Sequence, residues 1–166
     1  MPSRKIIQDI VESGVIGEVT SLTANLSYAV TEKERIRKPE LAGGALLDVG
    51  VYPINFASMV FGEELKDVQS SAIFEGGVDI LEPIIMNFEG NKMATLQSGV
   101  REISDRMGSI FGTKGYIQFK ISIIRRRLQY LTRIMKKQQA IFLQSRLQDT
   151  NMKSELVKKH WKRAKL

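Results

Sequence analysis

Cysteine is absent from this chain. Its absence excludes disulfides and thiolate metal sites and leaves the redox compartment undetermined. Histidine occurs once, as His160. Neither a histidine-based metal centre nor a serine–histidine–aspartate triad can be built around the rest of the sequence. No run approaches the length of a membrane-spanning helix. The opening Met1-Pro2-Ser3-Arg4-Lys5 leads into a short mixed segment, not the apolar core of a secretory signal. The expectation is a cytoplasmic chain with no membrane partner. No strand–Gly-x-Gly-x-x-Gly–helix unit is present, so a dinucleotide-binding fold is missing from these residues. Gly112-Thr113-Lys114-Gly115 has glycine and lysine without phosphate-loop spacing, and reads as a hairpin turn.

What is present is one ordinary domain's worth of chain: 166 residues, 43% hydrophobic and 26% charged. The formal charge of +7 is unevenly placed. Residues 1–120 carry 12 Lys and Arg against 16 Asp and Glu, whereas residues 121–166 carry 13 against 2. Composition breaks near Lys120. The basic tail lacks the interleaved aromatic residues that stack on bases, so nucleic acid is not the expected partner. Leu128, Leu131, Met135, Phe142 and Leu143 have loose helical spacing, and predict a basic amphipathic helix there.

Along the first part, Ile6, Ile7, Ile10 and Val11 form a helical stripe with Gly14 as its cap. Leu22, Ala24, Leu26 and Tyr28 alternate as in a half-buried strand, and Asn25-Leu26-Ser27 within it matches a glycosylation sequon by chance. Thr31 to Glu40 is a polar loop. A flexible diglycine, Gly43-Gly44, precedes a helix from about Leu46 to Phe61-Gly62. Pro53 falls in its first two turns or at a kink. Strands are expected at Lys66–Phe74, Val78–Phe88, Lys92–Val100, Met107–Phe111 and Tyr116–Phe119, with turns at Glu89-Gly90-Asn91 and Thr113-Lys114-Gly115. Pro83 argues for an edge position or a bulge. The fold class is α+β: a mostly antiparallel, open-faced sheet with helices on one face. Its other face must be covered by something else or carry polar residues.

Asp48, Tyr52 and Asn55 recur at i, i+4 and i+7 and so share one helical face, with Leu47, Val51, Ile54 and Ser58 along a neighbouring stripe. A carboxylate one turn from a phenol can hold or move a proton. Spacing alone is equally met by a helix whose polar face happens to carry both.

Gly43-Gly44-Ala45-Leu46-Leu47-Asp48-Val49-Gly50-Val51-Tyr52 resembles the G-G-x-L-x-D-x-G-x-[HY] motif in the C-terminal domain of the Gfo/Idh/MocA oxidoreductases. Tyrosine at its end, followed by Pro53-Ile54-Asn55-Phe56, looks most like the branch containing dimeric dihydrodiol dehydrogenase and NADP-dependent D-xylose dehydrogenase. Gly14-Val15-Ile16-Gly17-Glu18-Val19, the loop from Arg37 to Leu41, and Gly112-Thr113-Lys114-Gly115-Tyr116-Ile117 are similar to further family segments in the same order. The match covers residues 2–120.

The resemblance implies that Tyr52 and Asp48 are catalytic residues, and that Arg37, Gly44 and Asn55 contact substrate. Tyr52 would act with a lysine from a preceding Rossmann domain's E-K-P segment, beside NADP or NAD. The substrate would be a sugar or trans-dihydrodiol hydroxyl. Phenols titrate near about pH 10 and act as a base at neutral pH only beside a cation. This sequence holds neither that lysine nor the glycine fingerprint, so the expectation is a fragment, inactive alone and binding no cofactor. A homodimer or heterodimer through the open sheet face is the expected association. The alternatives are a non-catalytic dimerisation partner of full-length relatives and a basic-tailed binding adaptor.

Two units follow: an incomplete C-terminal-type domain at 1–120, and a tail at 121–166 read as frameshifted. Starting each codon at the third base of the old one, Met135-Lys136, Met152-Lys153 and Trp161-Lys162 each force glutamate, and His160-Trp161 forces leucine. With permitted codons, Ile141 to Leu166 then read F-P-S-K-Q-T-T-G-Y-E-Y-E-V-R-A-C-Q-E-A-L-E-K-S-E-A, which begins like a family segment of the type F-P-S-K-Q-x-T-G-Y-E-Y-E-V, and the forced letters fall where the family wants them.

Overall fold

The computed structural model describes residues 2–120, 130–136 and 139–145. Helix α1 spans Pro2–Glu12 and turns the chain at Gly14, whose φ of 66° suits a residue without a side chain. It presents Ile7 and Ile10 to the core, as their spacing predicts. Strand β1, Val19–Ser27, then enters the sheet with Leu22, Ala24 and Leu26 buried. The two amide ends of the sequon's Asn25 are both engaged: Nδ2 donates to Asp105 Oδ1 at 2.7 Å and Oδ1 accepts from the Arg106 N–H at 3.0 Å.

The polar loop is less open than its composition suggests. It contains 3-10 turns at Glu34–Arg37 and Pro39–Leu41, and Ile36 is pinned in a second core cluster with Leu26, Ala45, Val49, Val78, Ile80 and Val100. A π-helical turn, Leu46–Gly50, leads directly into α2, Val51–Phe61, which stops at Gly62. Pro53 is the third residue of α2, as expected of a proline early in a helix. The buried face of this segment is Ala45, Val49, Pro53 and Ala57, while Leu47 and Val51 are exposed. Extra width in the π turn rotates the apolar stripe away from a uniform helical wheel. By length and composition the Pro39–Phe61 run could cross a membrane, contrary to the sequence expectation that nothing was long enough. Here it is divided into short helices, and Ala42 and Gly44 both adopt positive φ.

The remaining strands are β2 (Leu65–Ser70), β3 (Ile73–Glu75), β4 (Val78–Phe88), β5 (Lys92–Gly99), β6 (Met107–Gly112), β7 (Gly115–Lys120), β8 (Tyr130–Lys136) and β9 (Gln139–Ser145). They form one sheet in the order β2-β4-β5-β1-β6-β7-β8-β9, with β3 also paired to β4. Every pairing is antiparallel except β1 with β5. The strand expected at Lys66–Phe74 is thus two strands. Pro83 is not on an edge. It lies in β4 opposite the break between β2 and β3, where its missing N–H would have found no regular partner, and its carbonyl accepts from the Ser71 N–H at 3.3 Å. The tail departs from expectation too. Over Tyr130–Lys136 and Gln139–Ser145 it is a hairpin extending β7, not a helix. β-branched and aromatic residues suit strands, and the edge of β7 offers unpaired backbone groups. The rest of the proposed tail helix lies outside the described residues.

Helices α1 and α2 cover one face, where Leu22, Ala24, Ile84, Met86, Phe88, Ala94, Leu96, Ile110, Ile117 and Phe119 form the main core. The opposite face carries the row Gln69, Ile85, Thr95, Thr23, Ser109 and Gln118 in register. That row takes the polar option for an uncovered face, while the next one carries Met93, Phe111 and Tyr116, and Ile85 and Met93 are exposed.

Candidate functional site

The diglycine that opens the motif is a rigid corner. Gly43 N–H donates to Lys38 O and Gly44 N–H to Ile36 O, at 3.1 and 3.0 Å. Both residues are buried. Gly44 has φ of 102°, and a side chain there would collide with the Asp79 carboxylate. The expected flexibility is therefore replaced by backbone fit, and the Gly44 contact that is present is structural. Asp79 reaches over from β4, and its Oδ2 accepts the Leu46 N–H at 2.6 Å. One carboxylate thus satisfies a free donor at the start of the motif helix.

From this corner the π turn sends Asp48 outward, half-buried, onto the guanidinium of Arg35 in the preceding 3-10 turn. Tyr52 follows at the start of α2 and is 43% exposed. Asn55 donates through Nδ2 to Val51 O at 2.6 Å, which fastens it to its own helix. Arg37 is exposed and makes no hydrogen bond or ion pair among the described residues. Asp48 and Tyr52 are brought to one end of one helical segment, as the spacing predicts, while Arg37 and Asn55 are not shown joining them. Sequence reasoning missed Arg35 and Asp79. Their partners are 13 and 33 residues away in sequence, beyond any helical periodicity.

Beneath the π turn lies a buried polar pair in the sheet. Gly50 stands over Ser98, whose hydroxyl is enclosed without a hydrogen-bond partner. Glu82, paired with Ser98 across β4 and β5, is buried. Burial, and then the charge of Asp79, raise its carboxyl above the usual value of 4.5. Such a carboxyl keeps its proton more readily than an exposed one. No group of three or more potential metal-ligating side chains occurs among the described residues.

What the arrangement can do is present a phenol to a ligand above the helix start, steadied by an ion-paired carboxylate. Among the described residues, no lysine is bonded to Tyr52 or Asp48.

Residues 5–118 match the GFO/IDH/MocA C-terminal domain. Trans-1,2-dihydrobenzene-1,2-diol dehydrogenase of Xenopus tropicalis is 34% identical over 119 residues, which is 70% of this chain and 36% of that protein. A dTDP-3,4-didehydro-2,6-dideoxy-alpha-D-glucose 3-reductase of Streptomyces violaceoruber is 43% identical over 61 residues, 36% of this chain and 18% of that protein. Among solved structures, a 3-ketoreductase from Actinomadura kijaniata in complex with NADP and TDP-benzene superposes with a TM-score of 0.81 at 22% identity. That match covers 96% of this chain and 50% of the reductase. The chain therefore spans about a third of the length of the dehydrogenases it matches.

Proposed function

Since the chain belongs to the GFO/IDH/MocA oxidoreductase family, we propose that it supplies the substrate-side half of an NAD(P)-dependent oxidation of a sugar or trans-dihydrodiol hydroxyl. The observation that carries this is the placing of Tyr52: exposed, at a helix start, on a backbone corner fixed by Gly44 and Asp79. In this reading the phenol of Tyr52 exchanges a proton with the substrate hydroxyl. Asp48, held by Arg35, orients the helix start and keeps a fixed charge beside it. Arg37 and Asn55 line the substrate side, and Gly44 shapes it through the backbone corner. The nicotinamide supplies hydride chemistry when bound. Its binding fold and the lysine that would stabilise the phenolate come from a Rossmann domain these residues do not contain, so the chain alone is inactive.

The test is a titration of the chain with NADPH, followed by assay with a Rossmann domain of a relative supplied in cis. The isolated chain should bind no NADPH, and the fusion should turn over a sugar or dihydrodiol. Tyr52→Phe in the fusion should cost roughly 100-fold or more in kcat, the usual size of a positioned proton transfer. NADPH affinity of the chain alone, or an unaffected Tyr52→Phe rate, overturns the reading.

A second reading has its own observation. Exposed Ile85 and Met93 sit on the uncovered sheet face and support association there with a second copy or a full-length relative. Substituting both by aspartate should leave a monomer in sedimentation. The abrupt charge change near Lys120 supports the frameshift proposal for 121–166, and sequencing locus and transcript decides it.

A further inference from the structure

Arg106 sits in the loop before β6 with a left-handed backbone, φ 58°, which a side chain-bearing residue adopts only when its surroundings impose it. They do. Its N–H is gripped by Asn25 Oδ1 at 3.0 Å and Ser104 Oγ at 3.2 Å. Its guanidinium lies over the Tyr28 ring, 5.1 Å from the centroid. The Arg106 Nε and the Tyr28 hydroxyl are both enclosed, and neither has a hydrogen-bond partner.

The acidic neighbours of this arginine are turned elsewhere. Asp105 accepts from Asn25 Nδ2 and the Met107 N–H. Glu102 takes Gln97 Nε2 and the Ser27 hydroxyl. The other arginine of the loop, Arg101, is paired with Glu75 at 2.8 Å. Among the described residues, Arg106 has no carboxylate partner, although it is half-buried. A stacked, backbone-locked guanidinium has already lost the freedom that binding would otherwise cost.

Register places this cation beside the motif. Gly108, two residues on, pairs with Ala24 and approaches the ring of Phe56, one helical turn beyond Tyr52. Gly50 stands over Ser98, which pairs with Leu26. The start of α2 therefore lies toward the end of β1, which Tyr28 follows, and the start of β6, which Arg106 precedes.

We propose that Arg106, stacked on Tyr28, is a binding subsite for an oxyanion of the ligand that Tyr52 meets, a carboxylate or phosphate carried by a polyol. It deepens the function proposed above and depends on that reading only for the position of the ligand. The Nε and the Tyr28 hydroxyl are closed to a ligand, so the oxyanion meets the outer amines of the guanidinium, which the stack on Tyr28 holds in place.

Calorimetric titration of the full chain tests it with gluconate, inorganic phosphate and glucose as probes. The wild type should bind gluconate or phosphate saturably, and glucose about tenfold more weakly or less still. Gluconate alone would assign a sugar acid, and equal binding of phosphate would assign a phosphate group. Arg106→Gln should weaken binding about tenfold or more, the effect of one charged hydrogen bond. Arg106→Lys, which keeps the charge and loses the planar stack, should bind several-fold less tightly with the same preference for anions. Glucose binding as well as gluconate, or wild-type affinity in either variant, overturns the proposal. Should Arg106→Gln fail to fold, the lysine variant decides it. Turnover of a neutral sugar or dihydrodiol by the fusion, with no anion binding by either protein, would retain the catalytic reading and overturn this one, so that the two failures are told apart.

Discussion

Asp48 and Tyr52 were legible because a motif carries them in one short stretch. Arg35, Asp79, Tyr28 and Arg106 were not, because each acquires its role from a partner that only the folded sheet brings near. The same is true of Glu82. In sequence it is one polar residue in an apolar strand, and in the fold it is a buried carboxyl close to a second one. Its pH consequence has a definite sign. Folding raises this carboxyl above 4.5, so between that value and its folded one the native state holds a proton that the unfolded chain has released. The resulting stability is full below the unfolded value and is lost as pH rises through the folded one. Glu82→Gln, which cannot ionise, should therefore flatten the stability profile as pH rises above 4.5 and match or exceed the wild type at the alkaline end. Thermal melts across that range would show it. A wild type that gains stability relative to the variant as pH rises contradicts the assignment.

At the scale of elements, alternation and turn residues located every strand from β4 to β7 to within about two residues. β4 matches its expected bounds, Val78–Phe88, and the turns at Glu89–Asn91 and Thr113-Lys114 are where the glycines placed them. In the second turn the Thr113 and Lys114 N–H groups are taken by Glu18 and Ile16 carbonyls, which leaves no cradle for phosphate. The gap between β2 and β3 was hidden because both strands pair with β4, and an apolar pattern does not record which partner a strand has. The π turn was hidden for a related reason: its sequence satisfies an α-helical wheel equally well. The corner before it makes a sharp prediction. Gly44→Ala should cost more than about 1 kcal/mol, from positive φ together with the collision with Asp79. Asp79→Ala should cost about 1 kcal/mol through the lost helix-start contact. Because the second change makes room for the first, the double variant should be less unstable than the two effects summed. Urea unfolding of the four proteins measures this, and simple additivity would separate Gly44 from Asp79.

For the whole molecule, composition and order of elements gave the class, an α+β layer with one face covered, but not the strand order. Helical spacing in the tail was overruled by an open sheet edge, since a strand edge can recruit residues whose own preference is weak. The family match accounts for the fold and for the oxidoreductase setting, and substrate and cofactor follow only through the site. The position of β1 has one more consequence. It is made early in the chain yet fills the middle of the sheet, with Leu22 meeting Ala94 on one side and Ile110 on the other. During synthesis it must therefore wait, both its edges unpaired, until the β4–β5 and β6–β7 hairpins exist. Closure of the sheet is a late, long-range event, of the kind that places folding on the order of milliseconds to seconds. Until then the nascent chain carries an unpaired strand, and its vulnerability lies in that interval rather than in the finished fold.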